Sequence, residues 1–285
     1  MAGSDVLTEF SHLRDAALKV AQLISNIRTY VTTKFETSEE NLELEARLGH
    51  LRGHHFDPNV GQSAFCTILQ LLEGYHRWSR ISNWQETQDI FYSVELPAEF
   101  ECEGPKRKTQ IRTTVGIDEK GDIELLHHIK KKIQSVDMEM RVMDSGSCSV
   151  NVCRRDNNDG HDARVAASIE KSVPADLLPI AVTPDFVRIK QRKRFFLASL
   201  GIAGETFSFD LSIVYMGKTK SEAEQNQSQQ LNASFEIEIE CLEPHEYLKS
   251  SGGEDLMLAL SLILKCHDFS SALHAANTVT YIPRD

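Results

Sequence analysis

Glutamates recur at every second residue in two stretches of this chain, Phe235-Glu236-Ile237-Glu238-Ile239-Glu240 and Leu42-Glu43-Leu44-Glu45-Ala46-Arg47-Leu48-Gly49. A period of two places alternate side chains on opposite faces of a β-strand. Glu236, Glu238 and Glu240 then share one face, opposite Phe235, Ile237, Ile239 and Cys241. Glu43, Glu45 and Arg47 share another, opposite Leu42, Leu44, Ala46 and Leu48. Same-face neighbours on a strand lie about 7 Å apart, and carboxylates at that spacing repel by roughly 2 kcal/mol at an effective dielectric of about 20. Such a row needs water, cationic neighbours or a metal ion. A solvated edge strand accounts for either stretch taken alone. Two acidic-faced strands near opposite ends of one chain are also what closure of a barrel would bring side by side. An oxygen-rich cluster of this kind suits a hard divalent cation, Mg²⁺ or Mn²⁺.

Cations are set out with the same regularity. Phe186–Phe196 carries Arg188, Lys190, Arg192 and Arg194 on one parity, and Val187, Ile189 and Phe195 on the other, where Gln191 and Lys193 weaken the apolar face. Ile123–Ile133 puts Lys130 and Lys132 together. Thr109–Gly116 offers Arg112 with Gln110 and Thr114, and Ala163–Lys171 offers Arg164, Ser168 and Glu170. Thr206–Met216 sets Ser208, Asp210 and Ser212 opposite Phe207, Phe209, Leu211 and Ile213. With Leu42–Gly49, Asp89–Val94 and Ala233–Leu242, these make eight strands.

A small barrel ordinarily has an apolar interior. Here the strands offer polar faces and the helices offer apolar stripes. Either the polar faces meet solvent on a sandwich, or the barrel is inside-out, with apolar faces under helices and polar faces lining a tunnel. A solvated surface interleaves its signs, whereas one face here is four cations long and another three anions long. That segregation favours the tunnel and a ligand that brings its own anions and a metal. Cations grip phosphate oxygens, and carboxylates hold the metal that bridges to them.

The supporting elements read as helices over 5–31, 63–80 and 254–276. The first has Val6, Leu7, Phe10, Leu13, Ala17, Val20, Ile24, Ile27 and Val31 at helical spacing. In the second, Ser63 is the expected N-cap and Phe65, Ile68, Leu69, Leu72 and Tyr75 the buried face. Thr37–Glu40 and Asp118–Gly121 read as turns. His50–Gly61, with His50, His54 and His55, reads as a polar loop, as does Asp144–Asp162. In the latter, Asp156–Gly160 resembles a calcium loop only until Ala167 falls where the closing Glu should be. Lys218–Asn232 reads as a mobile polar segment. The expected organisation is a single domain over 1–285, mainly β, with an eight-stranded antiparallel barrel over 42–242 and helices packed outside.

The 285 residues carry a net charge of −11, which argues against a general nucleic-acid coat but leaves room for a local basic channel. The six cysteines include no Cys-x-x-Cys, so structural zinc is not expected and reduced thiols are. No signal peptide or apolar run of transmembrane length is read, so no membrane is expected. Elimination leaves a nuclear or cytosolic protein.

The two acidic strands resemble the first and the closing glutamate motifs of the triphosphate tunnel metalloenzymes. Asp162–Glu170 followed by Val173-Pro174 is similar to a middle strand of the fungal and protozoan RNA 5′-triphosphatases of mRNA capping, and Arg188–Arg194 to their basic strand. Arg112-Thr113-Thr114, a hairpin and Ile129–Ile133 fit the strand pair that precedes the middle one. The likeness runs from about Leu42 to Leu242 with the motifs in order. It implies removal of the γ-phosphate from the 5′ end of nascent RNA before guanylyl transfer. Glu43, Glu45 and Glu240 would ligate Mg²⁺ or Mn²⁺, with Glu236 and Glu238 supporting the metal shell. Glu170 would orient the attacking water. Arg112, Lys130 or Lys132, Lys190 and Arg192 would hold the triphosphate, joined on the same faces by Arg47, Arg188 and Arg194. Asp210 would orient one of these cations.

The implied partners are the 5′-triphosphate end of RNA, free NTPs and an mRNA guanylyltransferase. Two departures from the family pattern stand out. Ser208 occupies the position of an expected Arg, and Asp144–Asp162 lengthens the approach to the middle strand. Hydrolysis of inorganic tripolyphosphate or thiamine triphosphate in the same tunnel, and a non-catalytic polyphosphate-binding module, remain open readings.

Overall fold

The computed structural model describes residues 13–34, 40–95, 109–117, 123–142, 148–151, 161–177, 183–198, 205–249 and 255–279. The chain runs α1 (Arg14–Lys34), β1 (Glu40–Arg52), β2 (His55–Asp57), α2 (Gln62–Gly74), β3 (Arg80–Ile81), β4 (Gln85–Val94), β5 (Thr109–Ile117), β6 (Ile123–Val142), β7 (Cys148–Asn151), β8 (Asp162–Ser172), β9 (Phe186–Ala198), β10 (Glu205–Gly217), α3 (Lys220–Ser228), β11 (Ser234–Cys241), α4 (Pro244–Lys249) and α5 (Asp255–Val279). Eight strands close on themselves in the order β1, β8, β6, β5, β4, β9, β10, β11 and back to β1, every pairing antiparallel. They are the eight expected strands. β2, β3 and β7 are short additions to β1, β9 and β6.

The barrel is inside-out. Leu42, Leu44, Ala46 and Leu48 of β1, Phe209 and Leu211 of β10, and Ile237 and Ile239 of β11 point outward into one buried cluster. Leu13 just before α1, Val20, Leu23, Ile24 and Ile27 of α1, Phe65, Ile68 and Leu72 of α2, and Leu258, Leu262, Ile263 and Phe269 of α5 complete it. Each such side chain contributes about 1.5–3 kcal/mol by leaving water, so the helices hold the strand faces rather than decorate them. α5 is long and apolar enough over Asp255–Leu273 to cross a membrane, which the sequence reading did not register. Here that apolarity is spent on the barrel and on α1, and Arg28 of α1 pairs with Asp255 at its start.

Several local expectations are corrected. Lys218–Asn232 is not a mobile coil: Lys220–Ser228 is helical, and Ala223 seats against outward-facing Val187 and Ile189 of β9. Thr219 Oγ1 accepts from Glu222 N at 3.2 Å, and Glu222 Oε2 accepts from Lys218 N at 2.8 Å, a side-chain cap at each side of the first turn. Gly217 is required there, because a Cβ would stand 2.5 Å from Ala223 N. α2 ends at Gly74, not Arg80. Its N-cap is Gly61 at φ 80°, not Ser63, and Tyr75 turns the chain extended. Trp78 then donates from Nε1 to Leu72 O at 2.7 Å and packs on Phe195 and Phe209, so it closes the end of α2. The stretch from His50 is not loop: β1 continues to Arg52 and turns into β2, with His50 opposite Asp57. β6 does not stop at Ile133 but runs to Val142 past a bulge between Lys132 and Gln134. Cys148–Asn151, inside the Asp144–Asp162 stretch expected to be a loop, is strand β7. Residues 1–12, 37–39, 118–121, 144–147 and 152–160, on which other expectations fall, lie outside the described residues.

Candidate active site

Alternation fixes what the lumen contains. From β1 come Glu43, Glu45 and Arg47; from β11 Glu236, Glu238 and Glu240; from β10 Ser208, Asp210 and Ser212; from β9 Arg188, Lys190, Arg192 and Arg194. β5 supplies Arg112, β6 Lys130 and Lys132, and β8 Arg164, Ser168 and Glu170. Register aligns them: Glu45 stands opposite Glu240 and Arg47 opposite Glu238 across β1 and β11, while Asp210 stands opposite Glu238 and Arg194 across its two neighbours. Every residue singled out from the sequence therefore meets in one channel.

Inside it, carboxylates and cations interlock. Arg47 Nη2 lies 3.0 Å from both Glu45 and Glu238, and Lys190 Nζ lies 3.5 Å from Glu238. Arg188 pairs with Glu236 at 3.1 Å. Asp210 Oδ2 takes Arg192 at 3.4 Å and Arg194 at 3.2 Å. Arg112 reaches Glu170 at 2.8 Å. Lys130 pairs with Glu43 and stands 3.6 Å from Glu45. Ser168 Oγ donates to Glu43 Oε2 at 2.8 Å. Both Lys130 and Lys132 face inward, and they differ in partners: Lys132 forms no ion pair with any described carboxylate. Burial, and Arg164 beside it, lower the pKa of Lys132.

Electrostatics divides the acids. Burial opposes ionisation of Glu238, but Arg47, Lys190, Lys130 and Arg188 outweigh it and hold that carboxyl far below the usual range. Glu240 goes the other way. Burial, then the charges of Asp210 and Glu43, push it up to about 7. Burial raises Glu45 as well, against the pull of Arg47. Burial tends to lower Arg47 and Lys130, yet the glutamates around them raise both.

The carboxylates on this wall offer oxygen only, the donor type a hard cation takes, and one of them, Glu240, is costly to ionise because burial, Asp210 and Glu43 outweigh the pull of Arg194. Glu43, Glu45 and Glu240 share the lumen wall, but no three metal-ligating side chains among the described residues converge on one point. Lys130 stands between Glu43 and Glu45, where its ammonium offsets both.

The charge is also graded along the axis. One half of the channel is a cavity of about 470 Å³ whose walls carry Arg47, Arg112, Lys130, Lys132, Arg164 and Arg188 with Glu45. The other end carries Glu43, Glu170, Glu240 and Glu243 with Arg80 and Arg194.

Sequence reasoning missed three features. Asp137 faces in and holds Arg164 at 2.5 and 3.0 Å, because the bulge in β6 inserts a residue and flips the parity from even to odd. Asp89, buried on the inner face of β4, accepts from Thr114 Oγ1 at 2.7 Å. Its strand carries no charge row to mark it. Phe91 lines the cationic cavity and stacks on Phe186 of the neighbouring strand. Ser208, in place of the Arg expected from the family pattern, is fully buried, and its Oγ meets no hydrogen-bond partner among the described residues.

No family model matches the chain, and no curated protein matches it in sequence. Solved structures do match in shape. The S. pombe Pct1 RNA triphosphatase superposes with a TM-score of 0.53 at 13% identity, over 88% of this chain and 92% of that one. The same enzyme in complex with the Spt5 CTD gives 0.53 at 14% identity, over 88% and 93%. The Mimivirus capping enzyme triphosphatase gives 0.45 at 12% identity, over 86% and 97%. The chain thus shares the tunnel fold of the fungal RNA triphosphatase, as its glutamate motifs implied.

Proposed function

We propose that this chain is a metal-dependent RNA 5′-triphosphatase that removes the γ-phosphate from nascent RNA, the step before guanylyl transfer in cap formation. The observation that supports this reading most is the charge gradient inside a closed barrel, a cation-rich half leading to a carboxylate-rich end. A triphosphate chain needs both. Phosphoryl transfer asks for positioning and charge neutralisation rather than covalent chemistry.

In this reading Arg112, Lys132, Lys190 and Arg192 grip phosphate oxygens. Lys132 is the readiest of them, having no ion pair to break among the described residues. Arg47, Arg188 and Arg194 complete the cationic wall, and Asp210 fixes the directions of Arg192 and Arg194. Glu236 and Glu238 fix Arg188, Arg47 and Lys190. Glu43, Glu45 and Glu240 are the carboxylates that would hold Mg²⁺ or Mn²⁺, with Lys130 giving up its place between the first two. A bound ion of that kind neutralises charge on the phosphoryl oxygens. Glu170, steadied by Arg112, accepts the proton of the attacking water. A nuclear location and a guanylyltransferase partner belong to the same proposal.

The test is substitution of Glu45 by Ala with a triphosphate-ended RNA as substrate. Phosphate release should fall by at least about 100-fold, with the thermal transition retained because Glu45 faces the channel and not the core. Near-normal turnover of Glu45→Ala at saturating Mg²⁺ would remove the metal assignment.

A further inference from the structure

We infer that the channel has a direction: a nucleotide 5′-triphosphate enters by the mouth that Phe91 and Phe186 frame, and its first base stacks on that pair. The inference rests on the triphosphatase reading and specifies how the substrate lies.

Phe91 of β4 and Phe186 of β9 are register partners, with ring centroids 4.3 Å apart and planes 17° from parallel. Both sit on the inward parity of strands that are otherwise polar on that face. Two residues along from Phe186 is Arg188, and directly across from Phe91 is Arg112. Neither ring belongs to the apolar clusters that hold the barrel, and both are half-buried. They are therefore not core side chains that happen to lie near the opening. Their rim is braced: Asp185 N donates to Phe91 O at 2.8 Å, and the Asp185 carboxylate accepts from Ser93 Oγ at 2.6 Å.

Two residues of strand span about 7 Å, the order of distance between the 5′-phosphate of a nucleotide and its base. With phosphate on Arg112 and Arg188, a base falls on the rings. The gradient of charge sets the same direction. This mouth opens on the cationic half of the channel, whereas the opposite one presents Glu43, Glu170, Glu240 and Glu243, four acids against the two cations Arg80 and Arg194. A polyanion is drawn to the first and repelled by the second. Stacking on an aromatic face is tolerant of base identity and contributes about 1–3 kcal/mol per base. The pair would thus favour any triphosphate-ended nucleotide over inorganic tripolyphosphate, which has nothing to stack.

Two slowly hydrolysed probes separate the contributions, the β,γ-imido analogue of ATP and inorganic imidotriphosphate, titrated at equilibrium onto the wild-type chain and its variants. Phe91→Ala should weaken the imido-ATP complex by about 5- to 100-fold and move imidotriphosphate by less than about twofold. Phe91→Trp should keep both affinities. Phe186→Leu, which preserves apolar bulk, should repeat the selective loss while the thermal transition stays in place. Arg80→Ala, at the opposite mouth, should change neither affinity. Equal losses for both probes in Phe91→Ala and Phe186→Leu, no loss for either, or a selective imido-ATP loss in Arg80→Ala would each overturn the proposal. If the wild type binds the two probes alike yet still releases phosphate from RNA, the stacking platform fails and the triphosphatase reading stands. If it binds neither probe and releases no phosphate, both fail.

Discussion

Glu240→Gln should make the metal-free protein more stable at alkaline pH. Glu240 is pushed up to about 7 in the folded chain by burial and by the charges of Asp210 and Glu43, against an ordinary value of 4.5. Between those two values the folded state keeps a proton that the unfolded chain has released, so folding stability falls as pH rises through this window. Above pH 7 the whole penalty is present. A displacement of about 2.5 pH units corresponds to roughly 3 kcal/mol at 1.36 kcal/mol per unit. Water in the channel reduces that, and about 1–2 kcal/mol is the expected gain from an uncharged isostere. At about 2–4 °C per kcal/mol for a chain of this size, the variant should melt about 2–8 °C above wild type at pH 8 in EDTA. At pH 5 the gap should shrink to roughly a quarter, because the penalty builds only above the ordinary value of 4.5 and pH 5 lies just inside that window. Mg²⁺ or Mn²⁺ should raise the wild-type melting point and leave the variant nearly unmoved. A variant that melts at or below wild type at pH 8, with no pH dependence in the difference, would refute the reasoning that burial and neighbouring acids outweigh Arg194 at Glu240.

Three further outcomes follow from named contacts. If Glu170 handles the water, Glu170→Gln should depress kcat strongly and leave affinity for imidotriphosphate nearly unchanged, whereas Arg192→Ala should weaken both. The ion pair between Arg112 and Glu170 makes this a real contest: equal loss of affinity in the two variants would reduce Glu170 to a brace for Arg112. Ser168→Ala removes the hydroxyl that orients Glu43 and should raise the metal concentration needed for half-maximal activity by about 10-fold or more, read as a shifted metal titration with kcat at saturation largely retained. Thr219→Ala removes the cap of α3 and should cost about 1 kcal/mol in denaturant unfolding with activity unchanged, since α3 packs on the outer face of β9.

What was legible in the sequence was what alternation encodes. Eight strands with one polar and one apolar face, and charges sorted by sign between strands, were enough to favour a tunnel over a solvated sandwich and to put Glu43, Lys190 and Glu238 inward and Leu44, Ile189 and Ile237 outward. Parity arguments fail where the backbone gains a residue, which is why Asp137 went unseen beyond the bulge at Lys132. They are also silent on pairing: that Lys130 is tied to Glu43 while Lys132 forms no ion pair among the described residues depends on which strands are neighbours, not on either strand alone. Composition misled over Lys218–Asn232, whose Gln, Asn and Ser suggested a mobile coil. The signal that outweighed them was local, a Thr219-x-x-Glu222 cap with Ala223 small enough to seat on β9.

The most direct test of the account follows the phosphorus. RNA labelled at its γ-phosphate, incubated with the chain and Mg²⁺ or Mn²⁺, should yield labelled orthophosphate and leave a diphosphate at the RNA 5′ end, and EDTA should abolish the reaction. Release of labelled pyrophosphate, release that EDTA does not affect, or an RNA end that stays a triphosphate with either metal would contradict it.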